Sequence, residues 1–123
     1  MPIGTRQQAA DTAETGETAA VLQQFGIDVV VGDRETLVVV TGELDAFTSP
    51  RLRDVLHGCD GASRVIVDTS AMSFIDSTGL GVLVGASTRL ASLGCELVVR
   101  SPRPSTWRVF EIAGILDVVS VER

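Results

Sequence analysis

The chain contains no tyrosine, one tryptophan and four phenylalanines in 123 residues. Its core must therefore be aliphatic rather than built on stacked rings. The one histidine, His57, and the two cysteines, Cys59 and Cys95, lack Cys-x-x-Cys or Cys/His spacing, so no zinc site is implied and no cofactor either. Two cysteines are too few for a disulfide framework. They read as buried, reduced thiols, with a redox-sensitive pair as the other reading. No apolar run approaches the roughly 18 residues that span a bilayer, and the first residues lack a basic flank followed by an apolar segment, so the expected location is cytoplasmic. Positive charge is also scarce. Ten basic against sixteen acidic residues give a formal charge of -6, a field that repels phosphate backbones and anionic lipid and argues against direct nucleic-acid or membrane partners.

What is present is ordinary globular material, 45% apolar and 21% charged, of a length that suits one domain. Residues 1–25 are rich in Ala, Thr, Gln and Glu with little apolar periodicity before Val21, and read as a flexible N-terminal tail; residues 26–123 form the domain. From Ile27, the β-branched runs IDVVV and LVVVTGELD flank the turn-like Gly32-Asp33-Arg34-Glu35, which predicts an antiparallel hairpin. Thr48 to Gly58 predicts a short amphipathic helix, with a hydroxyl N-cap and proline in the first turn. RVIVD at 64–68 predicts a buried strand. A helix follows from about Ser77, with Leu80, Leu83, Val84 and Ala91 on one face and Gly94 as its stop. Then come a strand at 95–99, a helix from Pro104 to Ala113 carrying Trp107 and Phe110, and a last strand at 116–121. The order ββαβαβαβ predicts an α/β fold: a mixed, largely parallel sheet with an N-terminal hairpin at its edge and helices packed on it.

The chemistry-bearing stretch is Phe-Ile-Asp-Ser-Thr-Gly-Leu-Gly-Val-Leu, residues 74–83. Ser77 as a nucleophile needs a base within hydrogen-bond reach. His57 ends the first helix, at the edge of the sheet opposite Ser77, and the sequence is not Gly-x-Ser-x-Gly. Asp76 in Asp-Ser-Thr-Gly has one residue more than an aspartic-protease turn and lacks a second apposed carboxylate. No phosphate-cradling Gly-x-x-x-x-Gly-Lys-Ser/Thr occurs, so the chain does not read as an enzyme. What remains is position. Loops leaving the carboxyl ends of parallel strands gather functional groups, and Asp45, Asp68, Asp76 and Ser77 all follow such ends. At a helix N-terminus Ser77 could cap backbone N–H groups, or carry a phosphate that meets those groups.

Four features in order, Gly42-Glu43-Leu44-Asp45, the 74–83 stretch, Gly94 before a strand, and Phe110-Glu111-Ile112-Ala113-Gly114-Ile115, resemble the anti-sigma factor antagonists, the small bacterial STAS-domain proteins. The resemblance spans about residues 27–121. It implies a partner switch: an anti-sigma factor that is itself a serine kinase holds a sigma factor, and the unphosphorylated antagonist binds that kinase and frees sigma. The kinase phosphorylates the serine after the motif aspartate, which falls on Ser77, and a metal-dependent serine phosphatase reverses this. By the same resemblance Asp45, Asp76, Ser77, Thr78 and Gly79 belong to the partner-binding surface. The other reading for the two aspartates is turn and cap hydrogen bonding. A stand-alone scaffold, or a cytosolic subunit of a transporter, is the alternative function that the family implies. Trp107 departs from the small aliphatic usual in the family, and reads as core rather than as an exposed anchor.

Overall fold

A computed structural model describes residues 24–123. Most of the tail, residues 1–23, lies outside the described residues. Phe25, which the sequence reading placed in the tail, packs against the core, with the Arg51 guanidinium 4.9 Å above its ring.

The elements run β1 Gly26–Val31, β2 Glu35–Leu44, α1 Ser49–His57, β3 Arg64–Ile75, α2 Ser77–Ser92, β4 Glu96–Arg100, α3 Pro104–Ala113, a 3₁₀ turn Ile115–Asp117, and β5 Ser120–Glu122. The five strands lie in chain order. β1 pairs antiparallel with β2, and every later pair is parallel. Each parallel step moves the same way across the sheet, so three right-handed crossovers put α1, α2 and α3 on one face. Between helices and sheet sits an aliphatic core of Val38, Val40, Leu52, Leu56, Val65, Val67, Leu83, Leu90, Leu97 and Val99, with Phe110 as its one fully buried aromatic ring. On the other face Arg64 bridges Glu35 at 3.1 Å, Glu96 at 3.4 Å and Glu122 at 3.0 Å, linking four strands. All four side chains are at least 30% exposed, so the cluster orders the surface more than it stabilises it.

Three details differ from the sequence expectation. β3 continues seven residues past 68, because β2 is ten residues long and β3 follows it to its end. The pairing shifts register between Val39 and Thr41 and again between Gly42 and Glu43, which breaks the alternation in Thr69-Ser70-Ala71-Met72-Ser73 and hides the strand from a period-two pattern. The buried side of α2 is Gly79, Leu83, Ala86 and Leu90, while Ala91 is exposed. The predicted last strand is half a 3₁₀ turn: Ile115 and Val119 are both buried while Asp117, which a strand would place on the same face, is exposed. Trp107 is half-buried, its ring covered by the Arg123 guanidinium at 4.0 Å.

Both cysteines are free and buried. Burial pushes the Cys59 thiol up, with Cys95 nearby adding to the effect, and burial likewise raises Cys95. Protonated thiols in this setting behave as small apolar groups.

Leu90 is fully buried where α2 meets the sheet. Leu90→Ala is expected to cost about 2–5 kcal/mol of unfolding free energy. Urea denaturation should show the midpoint falling with little change in slope.

Candidate functional site

The second register shift lets β2 and β3 finish together, Leu44 opposite Ile75. The Asp76 N–H then donates to the Leu44 carbonyl at 3.1 Å, so the loops beginning at Asp45 and Asp76 leave the sheet side by side. This is the carboxyl edge of the parallel strands, where the sequence placed the site.

Each loop is closed by its own aspartate. Asp45 Oδ1 accepts from the Phe47 N–H at 2.9 Å and the Thr48 N–H at 3.1 Å, and the Asp45 carbonyl accepts from the Ser49 N–H at 2.8 Å. Thr48 occupies the N-cap of α1 but makes no side-chain bond into the helix. Its hydroxyl instead accepts from the Asp45 N–H and donates to the Glu43 carbonyl, both at 2.8 Å, which ties the loop to the strand it left.

Asp76, not Ser77, caps α2. Its backbone is extended, and Oδ1 accepts from the Thr78 N–H at 2.9 Å, the Gly79 N–H at 3.1 Å and the Thr78 hydroxyl. The Thr78 hydroxyl first, then the Gly79 and other backbone N–H groups, among them that of Ala46 in the neighbouring loop, hold this carboxyl below the usual carboxylate range. Aspartate is a strong N-cap for this reason, since its oxygen satisfies helix donors that have no partner within the helix. Ser77 becomes the first helical residue, exposed, its hydroxyl without a hydrogen-bond partner among the described residues.

Of the five predicted site residues, Ser77 and Thr78 are exposed and Asp45 and Asp76 half-exposed, brought together by the two strand ends. Gly79 is different. It is buried, and a Cβ there would stand 2.8 Å from Ile75 Cγ1 and 2.9 Å from Leu44 Cγ, so its part is close packing of the helix start on the sheet. His57 is exposed at the far end of α1, about 13 Å of helix away from the loop edge, consistent with no Ser77–His57 pair. The sequence reading missed Phe47, 91% exposed in the Asp45 loop, and Phe74, 48% exposed just before Asp76. In a chain with so few rings, a phenylalanine in the polar run Asp45–Pro50 was the available signal. No group of residues that could hold a metal ion occurs among the described residues, and none of their helices is long and apolar enough to cross a membrane.

Comparison with known proteins agrees with this geometry. Residues 26–123 match the STAS domain. The chain belongs to that family, and within it to the anti-sigma factor antagonists. It is 33% identical over 103 residues to the anti-sigma-B factor antagonist of Listeria monocytogenes, covering 80% of this chain and 90% of that one. An anti-sigma factor antagonist from Mycobacterium paratuberculosis superposes with a TM-score of 0.73 at 25% identity, covering 80% of this chain and 86% of the other. The Bacillus cell fate determinant SpoIIAA in its phosphorylated form shares the fold, with a TM-score of 0.62 at 21% identity over 80% of this chain and 90% of that one.

Two outcomes are expected from this wiring. Because the Asp76 carboxyl is held low in the folded chain, it favours folding at pH values above the ordinary carboxylate pKa of about 3.9, and that contribution disappears as pH falls through its lower folded value. Asp76→Asn should therefore flatten the acid limb of stability against pH, as read by thermal melts from pH 6 to about 2. Gly79→Ala should be destabilising by up to about 2 kcal/mol: overpacking costs about 1–3 kcal/mol and better helix propensity returns about 1. A stabilised Gly79→Ala in urea would show that the helix start is not seated as described.

Proposed function

We propose that this chain is an anti-sigma factor antagonist working in the cytoplasm. Unphosphorylated, it binds an anti-sigma factor serine kinase and frees the sigma factor that the kinase holds; phosphorylation of Ser77 switches it off, and a metal-dependent serine phosphatase restores it. The observation that carries the reading is an exposed, unengaged Ser77 hydroxyl at the first position of α2, in a chain one-third identical to an anti-sigma-B factor antagonist. In the transfer, the Ser77 oxygen attacks the γ-phosphorus of ATP held by the kinase, the bond to the bridging oxygen breaks, ADP leaves, and the hydroxyl proton passes to a base of the kinase. Asp76 is poorly suited to be that base, since its pKa is depressed and its Oδ1 is occupied by helix donors.

The local electrostatics support a switch that acts on binding. On sequence grounds a phosphate on Ser77 was expected to meet free helix N–H groups, but Asp76 already accepts from Thr78 and Gly79. A phosphoserine of about -1.5 to -2 charge would face an ionised carboxylate and turn toward solvent. A docked partner would then have to desolvate the phosphate or pair it. A penalty of about 2.8 kcal/mol, a hundredfold in affinity, would be enough to switch binding at fixed concentrations.

With the cognate kinase and ATP, wild type should gain one phosphate and Ser77→Ala none, and Ser77→Glu should bind the kinase more weakly than Ser77→Ala while both remain folded by circular dichroism. Label on Thr78 in the Ser77→Ala protein would overturn the residue assignment. Failure of any host kinase to bind or modify the wild type would replace the switch with the scaffold or transporter-subunit reading.

A further inference from the structure

Between α1 and α2, starting at Ala46 and Thr78 beside the Ser77 loop, runs an open groove of about 510 Å³. We infer that it seats an acidic helical segment of the anti-sigma partner, with Arg53 supplying the principal charge; the inference rests on the function proposed above and names the feature of the partner that this chain reads.

Shape is the first support. Gly81 and Gly85 lie one helical turn apart on the α2 wall, and a Cβ built on either meets nothing within 4 Å. These glycines, unlike Gly79, are not demanded by packing inside the chain, yet each weakens the helix interior relative to alanine. What they provide is depth. A groove with glycines along one wall admits a partner backbone closely, and its length along the nine-residue α1, about 13 Å, matches two to three turns of an incoming helix.

Charge is the second. In a chain of formal charge -6, this groove is lined by Arg53, His57 and Arg89. Arg89 is committed, with Nη1 on Asp60 and Nη2 donating to the Leu56 carbonyl at 2.9 Å, and it fixes the far end of the groove. Arg53 makes no ion pair among the described residues, so its guanidinium fork is free to take a carboxylate in two parallel bonds.

The third support is an unmet polar group. Ser49 lines the groove at the start of α1, is 3% exposed, and its hydroxyl has no hydrogen-bond partner among the described residues. A buried hydroxyl of this kind is costly to leave unpaired and is an invitation to an arriving carboxylate or carbonyl. Pro50, Val82 and Ala86 supply apolar lining between the polar groups, which favours an amphipathic acidic helix over a free anion.

The test measures Kd between the purified cognate kinase and wild type, Gly85→Leu and Arg53→Glu at 50 and 300 mM salt, after thermal melts have shown all three folded. Leucine at 85 has open space around its Cβ and a better helix propensity than glycine, so its melt should equal or exceed wild type while the groove is filled. Both variants should bind at least tenfold more weakly, and Arg53→Glu should in addition lose part of the salt dependence of the wild type. Wild-type binding with both variants unchanged would overturn the inference and leave the proposed function standing. Absence of wild-type binding would overturn the function and the inference with it. Calorimetric titration with ATP and GTP gives the remaining outcome: saturable binding to wild type that Gly85→Leu abolishes would make the groove a small-molecule site and overturn the acidic-helix occupant.

Discussion

The parallel pairing of β2 with β3, carried through two register shifts to Leu44 opposite Ile75, is the constraint on which the site depends. Without those shifts the strands would finish out of step and the Asp45 and Asp76 loops would leave the sheet at different heights. With them, the Asp76 N–H reaches the Leu44 carbonyl, the Asp76 carboxylate reaches toward Ala46, and α2 starts hard against both strand ends. The placement of one exposed serine is thus settled by backbone pairing deep in the sheet rather than by contacts of its own.

Gly79 transmits that placement. Its missing Cβ lets the first turn of α2 rest on Leu44 and Ile75, which are the last residues of the two paired strands. Gly42 acts similarly one layer back: its φ is +89, and a Cβ there would fall 2.9 Å from the Phe25 backbone, so β2 twists while the segment leading into β1 crosses close above it. The motif glycines therefore have unlike roles. Gly42 and Gly79 are fixed by close approach within the chain, whereas Gly81 and Gly85 border open space.

This contrast also marks how far the sequence could be read. Element order, the antiparallel hairpin, helix boundaries and the gathering of Asp45, Asp76 and Ser77 at one edge were all legible, because they rest on β-branched runs, Pro and Gly punctuation, and the rule that parallel strands present their carboxyl ends together. The extension of β3 was not, since two register shifts erase the alternation that announces a strand. The start of β5 was missed for the opposite reason: Leu-Asp-Val-Val-Ser-Val looks extended by composition, while Ile115–Asp117 closes a 3₁₀ turn that leaves Asp117 exposed between the buried Ile115 and Val119. At the site, an Asp-Ser-Thr sequence cannot reveal which of three capping residues caps. The choice falls to Asp76 because its carboxylate can hold two backbone N–H groups and the Thr78 hydroxyl at once.

That choice shapes the chemistry of the edge. Had Ser77 been the cap, its hydroxyl would have been spent on the helix, and modifying it would have cost the fold a hydrogen bond. With Asp76 in the role, the serine adds nothing to helix closure and its modification leaves the cap intact. The aspartate then imposes a second condition, since an ionised carboxylate beside Ser77 denies an incoming phosphate the donors that a helix start ordinarily offers. Under the proposed switch, stability and signalling would be separated at adjacent residues: Asp76 holds the helix, and Ser77 would be left to change the surface.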